Sequence, residues 1–184
     1  ARSGADTTLF TPGPWLGGMV SSAGVCAPDG HELTCWQTGL WGAFLRQLAV
    51  EEPAGLDHNW VSCFGYRPQT AEQILQRWVA AEPKLECRSH CRLENVHGQQ
   101  GRLHSLQVSC ADGTESFAAE IFIDGSDLGD LLAQTSAPFR WGWEAKEMWA
   151  EPSAPEQSRL ESEAFFQQQP IQSPTWVVMG QLDG

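Results

Sequence analysis

The sequence is short of positive charge. Only 11 lysines and arginines stand against 23 aspartates and glutamates, a net charge of −12 over 184 residues. This disfavours nucleic acid or an anionic membrane surface as a main partner, because both need a basic face. An anionic ligand would have to be held by local backbone amides. Long apolar runs are also missing. Nothing approaches the roughly 20 residues needed to cross a bilayer, and no basic-then-apolar leader opens the chain. A soluble, cytoplasmic protein is the expectation. Cysteine is sparse, with six residues at 26, 35, 63, 87, 91 and 110 and no C-x-x-C pair. That is not the density of a disulfide scaffold, so the six are expected to be reduced and mostly buried. An initial methionine is absent too. Ala1-Arg2-Ser3-Gly4 reads as the last turn of a helix, with Gly4 as its left-handed cap. The chain stops just after an apolar run, and a fragment lacking an upstream strand and phosphate loop is the expectation.

Glycine is present where an apolar run should not want it. Trp15-Leu16-Gly17-Gly18-Met19-Val20-Ser21-Ser22 follows a short β-branched strand at 7–11 that Pro12-Gly13-Pro14 ends. Paired glycines suit a loop whose backbone must come close to something else. Residues 17–38 form a long glycine-rich loop, and such loops in compact domains are usually functional. Leu40, Trp41, Phe44, Leu45 and Leu48 then fall at helical spacing, and Ala71, Ile74, Leu75, Trp78 and Val79 mark a second helix from about Pro68 to Ala81. Pro68 suits its first turn.

Three strand-like segments follow, near 91–97, 102–110 and 115–123. Gly98-Gln99-Gln100-Gly101 and Asp112-Gly113 are the hairpin turns between them. The alternation of the middle segment predicts a half-buried antiparallel strand. The run Ile121-Phe122-Ile123 loses that alternation, which predicts a strand ending buried on both faces in a parallel sheet. It leads straight into Asp124-Gly125-Ser126-Asp127-Leu128-Gly129-Asp130. Ligands of open α/β sheets sit beyond the carboxyl ends of strands, so this is the second place to look for a site. Residues 147–174 are rich in Pro, Glu, Ser and Gln and read as a polar connection with one helical turn near 160–166. Residues 175–184 read as the first strand of a further region.

The order of these parts resembles the FAD-dependent oxidoreductase family with the two-dinucleotide-binding-domain fold, the broad group that includes fumarate-reductase-like flavoproteins. The resemblance rests on Leu16-Gly17-Gly18-Met19 after a strand, then Gly39-Leu40-Trp41-Gly42-x-Phe44-Leu45, then a helix, a meander and Ile123-Asp124-Gly125-Ser126-Asp127-Leu128-Gly129-Asp130-Leu131. It implies an α/β fold, a Rossmann-like FAD/NAD(P)-binding parallel sheet with an inserted antiparallel β-meander, incomplete at both ends, over residues 1–146. It also implies FAD as cofactor and a small-molecule substrate. Thr11, Trp15, Gly17, Gly18, Met19, Ser21, Gly125, Ser126 and Asp130 would be the cofactor contacts. Two features depart from the family pattern. No Gly-x-Gly-x-x-Gly phosphate loop is present, and Thr11 stands where a carboxylate would hold the adenosine ribose.

Other readings of the residues stand beside this one. Asp124, Asp127 and Asp130 could bind a cation but lack the closing Glu of a calcium loop, and helix-terminal carboxylates are the simpler account. Cys87, His90 and Cys91 with Cys63 or Cys110 lack a paired zinc framework, and Cys26 and Cys35 flank His31 without a redox motif. Arg67, His31 and His58 are candidate polar groups, but none is assigned as a catalyst, and no metal is assigned. The alternative functions are a non-catalytic binding module of the same fold and a Cys/His metal protein. The oligomeric state is left open.

Overall fold

The computed structural model describes residues 1–28, 37–52, 56, 62, 64–140, 142–159, 163–171 and 177. His31, Cys35, Trp36, His58, Cys63 and the strand expected at 175–179, apart from Val177, lie outside them. The chain divides into two compact units, one of residues 1–134 with 176–184 and one of 135–175.

The first unit is mixed α/β. Strand β1 (Thr7–Phe10) is β-branched and apolar, and it pairs in parallel with β2 (Leu85–Arg88), Thr7 opposite Leu85 and Phe10 opposite Arg88. Parallel neighbours need a long crossover. Helices α1 (Gly39–Glu51) and α2 (Pro68–Ala80) lie within it. Their apolar faces meet: Phe44, Leu45 and Leu48 of α1 share a core with Cys26, Tyr66, Ala71 and Ile74. Leu48 and Ile74 are fully buried. Phe44 makes edge contacts with Tyr66 and Trp78, and the Trp78 indole donates to Gln47 at 2.7 Å, so its one polar atom is satisfied.

The meander is an antiparallel sheet of β3 (Arg92–Gln99), β4 (Arg102–Cys110) and β5 (Gly113–Ala118). Gln100 and Gly101 both have positive φ, the backbone that a two-residue hairpin requires. Phe117 of β5 packs edge-on against Phe10 of β1 at 4.7 Å, and the Arg88 guanidinium stands 5.0 Å over the Phe117 ring. These contacts seat the meander beside the parallel pair. Gly4 caps an opening turn, its amide donating to Ala1 at 2.7 Å.

One expectation is corrected here. β5 ends at Ala118, and residues 119–123 belong to no sheet, with Ile121 77% and Ile123 87% exposed. The parallel sheet holds only β1 and β2, so the apolar run has no strand to pair with among the described residues.

In the second unit, α4 (Lys146–Trp149) and α5 (Ala164–Gln168) occupy the polar stretch. Phe166 is buried against Trp143 at 4.7 Å and Phe165 at 5.1 Å, and Arg159 lies over its ring. Aromatic residues scattered through the Pro- and Glu-rich sequence thus supply a small core.

Candidate functional site

The glycine loop is held down by α2. Leu16 is buried, and its amide donates to Glu72 Oε2 at 2.6 Å. The Gln76 side chain donates to Glu72 Oε1 at 2.7 Å and reaches the Pro14 carbonyl at 3.4 Å. Glu72 is itself buried, so its hydrogen bonds replace water that burial has removed. Gly17 then turns with φ +102°, and a Cβ there would stand 2.5 Å from Leu75 Cδ1 and 2.9 Å from Ser21 Oγ. The first glycine is therefore demanded by close packing on the helix. A 3-10 turn, Gly18–Val20, follows and leaves Met19 60% exposed.

Two of the expected cofactor contacts are engaged inside the protein. Ser21 is completely buried and donates to the Leu16 carbonyl, so it shapes the loop and presents no surface to a ligand. Thr11 is buried, and its hydroxyl donates to the Gly13 carbonyl. Its backbone bridges two elements, the amide donating to Arg88 at 3.0 Å and the carbonyl accepting from Cys91 at 2.9 Å. Trp15 is half-buried.

The second motif is an ordered turn organised by Asp124. One carboxylate oxygen accepts from the Ser126 amide at 3.0 Å and hydroxyl at 2.6 Å, and the other accepts from the Leu132 amide at 2.9 Å. Ser126 Oγ in turn accepts from the Asp130 amide at 2.7 Å. Partial desolvation pushes the Asp124 pKa up. The bonds from the Ser126 hydroxyl and the Leu132, Ser126 and Leu131 amides outweigh it and hold the group below its ordinary range. Asp124 is thus a turn organiser that starts the short helix α3 (Asp130–Ala133). Asp127 and Asp130 remain exposed.

These two stretches, over 100 residues apart in sequence, come together. A Cβ on Gly18 would lie 3.6 Å from Asp127 Oδ1, while one on Gly125 would meet nothing within 4 Å. The amides of Gly17, Gly18, Gly125 and Asp127 donate to no group among the described residues. Free backbone donors in glycine turns are suited to bind an anion or a polar ring edge without a basic side chain.

Sequence reasoning did not find Glu72 or Glu52. Glu72 sits at the edge of the buried face of α2, and its spacing of four from Gln76 was the only local signal. Glu52 is buried just after α1, accepting from the Arg67 amide at 3.0 Å and Nε at 3.1 Å. Burial raises its pKa, but the bonds from Thr70 and Arg67 and the Arg67 charge outweigh this and hold it below the usual carboxylate value. A carboxylate there also suits the N-terminal end of α2. Arg67, a candidate polar group, commits its amide and Nε to this contact. Burial, and secondly the Glu52 charge, pushes the Cys26 thiol up to about 11.

The cysteine expectation is corrected as well. Cys91 and Cys110 form a disulfide, because Arg92 opposite Ser109 in the β3–β4 register brings the preceding and following residues together. Cys26 and Cys87 are free. Cys91 therefore has no thiolate to offer a zinc ion, and no group of three or more His, Cys, Asp or Glu among the described residues is placed to hold a metal. A cleft of about 390 Å³ lies beside the disulfide, lined by Glu86, Arg88, Ser89, Cys110, Ala111, Asp112 and Glu115. None of the expected cofactor contacts lines it.

No helix among the described residues is long and apolar enough to cross a membrane. The family model described as FAD dependent oxidoreductase matches residues 1–182. Neither the curated proteins nor the solved structures yield a match.

Proposed function

This chain belongs to the FAD dependent oxidoreductase family and its cofactor is FAD; we propose that the Gly17 to Met19 loop and the Asp124 to Asp130 turn form one wall of the cofactor cleft. The observation that carries this is the approach of Gly18 to Asp127, with amides on both stretches that donate to no group among the described residues. Bound FAD supplies two-electron hydride chemistry toward a small-molecule substrate. The chain's part is to bind and orient it. The amides of Gly17, Gly18, Gly125 and Asp127 are the donors for its carbonyl and ring-edge oxygens. The exposed carboxylates of Asp127 and Asp130 suit its hydroxyl groups, since next to the pyrophosphate they would repel it. Met19 and Trp15 offer apolar surface. Thr11, Ser21 and Ser126 support the wall from behind through the hydrogen bonds they make within the chain.

We further propose that the fold is Rossmann-like and of the fumarate-reductase-like group, and that a strand and phosphate loop outside these 184 residues complete it. Exposure on two stretches supports this reading. Parallel sheets are normally covered on both faces, yet Thr7, Thr8 and Leu9 of β1 are exposed, and so are Ile121 and Ile123. The present residues would then not turn over substrate alone. A cytoplasmic location, expected from the sequence, has the Cys91–Cys110 bridge against it, because cytosolic disulfides are rare unless transient.

Reconstitution of the full-length protein with FAD tests the proposal. Visible flavin absorbance that co-elutes with the protein is the expected result, and its loss on Gly125→Val locates the wall. Flavin binding indifferent to substitution at both Gly18 and Gly125 would place the cofactor elsewhere.

A further inference from the structure

The Cys91–Cys110 bridge is not used by any of the functions above, and its two cysteines differ in exposure. Cys91 is 5% exposed, and its amide is tied to the Thr11 carbonyl. Cys110 is partly exposed and lines the cleft of about 390 Å³ at the end of β4. We propose that this cleft is a thiol-exchange site, at which a small neutral or cationic thiol attacks Cys110 and opens the bridge.

The chemistry follows from which sulfur can be reached. An incoming thiolate bonds to Cys110 Sγ, the Cys91–Cys110 bond breaks, and Cys91 leaves as a thiolate that takes a proton from water. A second molecule of the same thiol then attacks the mixed disulfide at the sulfur of the first and releases Cys110 as a thiol. Two thiols are thereby joined as their own disulfide and give up the two electrons that reduce the bridge. The neighbouring free thiols do not compete. Cys26 is buried and its pKa is pushed up to about 11. Cys87 is pushed up too, first by burial and then by the Glu72 charge. Both are protonated near neutrality and are poor nucleophiles.

Charge sets the class of thiol. The cleft presents the carboxylates of Glu86, Asp112 and Glu115 against the single guanidinium of Arg88. Arg88 is already paired, with Glu86 at 2.7 Å and Glu115 at 3.3 Å. An anionic thiol is therefore repelled and a cationic one is drawn in. Opening the bridge would free the start of β3 from the end of β4, directly beside Thr11, where the chain turns toward the glycine loop.

The test uses the unmodified full chain with two probes, the cationic aminothiol cysteamine and the anionic tripeptide glutathione. Peptide mass mapping after rapid alkylation should find the mixed disulfide on Cys110 and the alkyl group on Cys91. At low salt cysteamine should outpace glutathione by about tenfold more than it does on an unstructured disulfide, and high salt should erase the difference. The double variant Asp112→Asn, Glu115→Gln should lose that preference. Glu147→Gln with Glu151→Gln, in the second unit, should keep it, which separates the cleft from the overall negative charge. Four results would overturn the proposal: an adduct on Cys91, free thiols at both positions from the outset, reaction only after denaturation, or a preference indifferent to the cleft substitutions.

Discussion

Asp127 Oδ1 stands 3.6 Å from the point that a Cβ on Gly18 would occupy. Gly18 has φ +51°, a conformation that costs an ordinary residue about 1–2 kcal/mol. Gly18→Val, through that strain and its added γ-carbons, should therefore push the loop and the turn apart and weaken FAD binding by about tenfold, which is ~1.4 kcal/mol. Adding Asp127→Ala should recover part of the loss. Titration of the reconstituted protein by flavin fluorescence measures both, and simple additivity of the two changes would show that the residues are not coupled.

Gly17 fails differently from Gly18. Its Cβ would intrude on Leu75 and Ser21, so Gly17→Val should destabilise the protein without any cofactor, by about 1–3 kcal/mol for overpacking. Urea midpoints of the apoprotein check this. An unchanged midpoint with lost flavin affinity would instead show that Gly17 acts only through the cofactor and not through packing on α2.

Glu72 pins the backbone that leads into those glycines. Glu72→Ala leaves the buried Leu16 amide without its acceptor, a cost of about 1–3 kcal/mol. Hydrogen exchange at Leu16 should quicken more than exchange within α1. Glu72→Gln keeps a carbonyl acceptor and should restore most of the protection.

Glu52 makes stability depend on acid. Its folded pKa lies below its ordinary value of about 4.5, so its contribution is present above that pH and is lost as pH falls through the lower folded value. Urea midpoints measured from pH 6 down to pH 3 should fall steeply for the native protein. They should fall less for Glu52→Gln, which starts lower. Parallel curves would mean that Glu52 titrates alike in both states.

Cys26 should resist alkylation at pH 8 in the folded protein and react only on unfolding, because burial keeps its thiol protonated and covered. Mass mapping of Cys26 before and after denaturant reads this directly.

Several elements were legible because their signals are local. The apolar spacing of Phe44, Leu45 and Leu48 announced α1, which runs on past Leu48 to Glu51, and that of Ala71, Ile74 and Leu75 announced α2 within a residue. The glycines at 101 and 113 announced the hairpins. β2 was not legible: Leu85–Arg88 is four half-exposed residues, too short for alternation to stand out, and it exists because β1 lies beside it. The disulfide was missed for a related reason. Cys91 and Cys110 are 19 residues apart, and only the β3–β4 register makes them neighbours.

By itself the sequence determined where the backbone could bend sharply and which faces had to be buried, since φ preferences and apolar period act over a few residues. It therefore marked the Gly17-Gly18 loop and the Asp124 to Asp130 turn as separate places of interest. Tertiary structure alone decided what each residue there does. It faced Gly17 to α2, closed Ser21 inside, spent Asp124 on its own turn, and set Gly18 against Asp127. Those roles depend on hydrogen bonds and contacts between residues tens of positions apart, such as Leu16 with Glu72, and no local pattern encodes them.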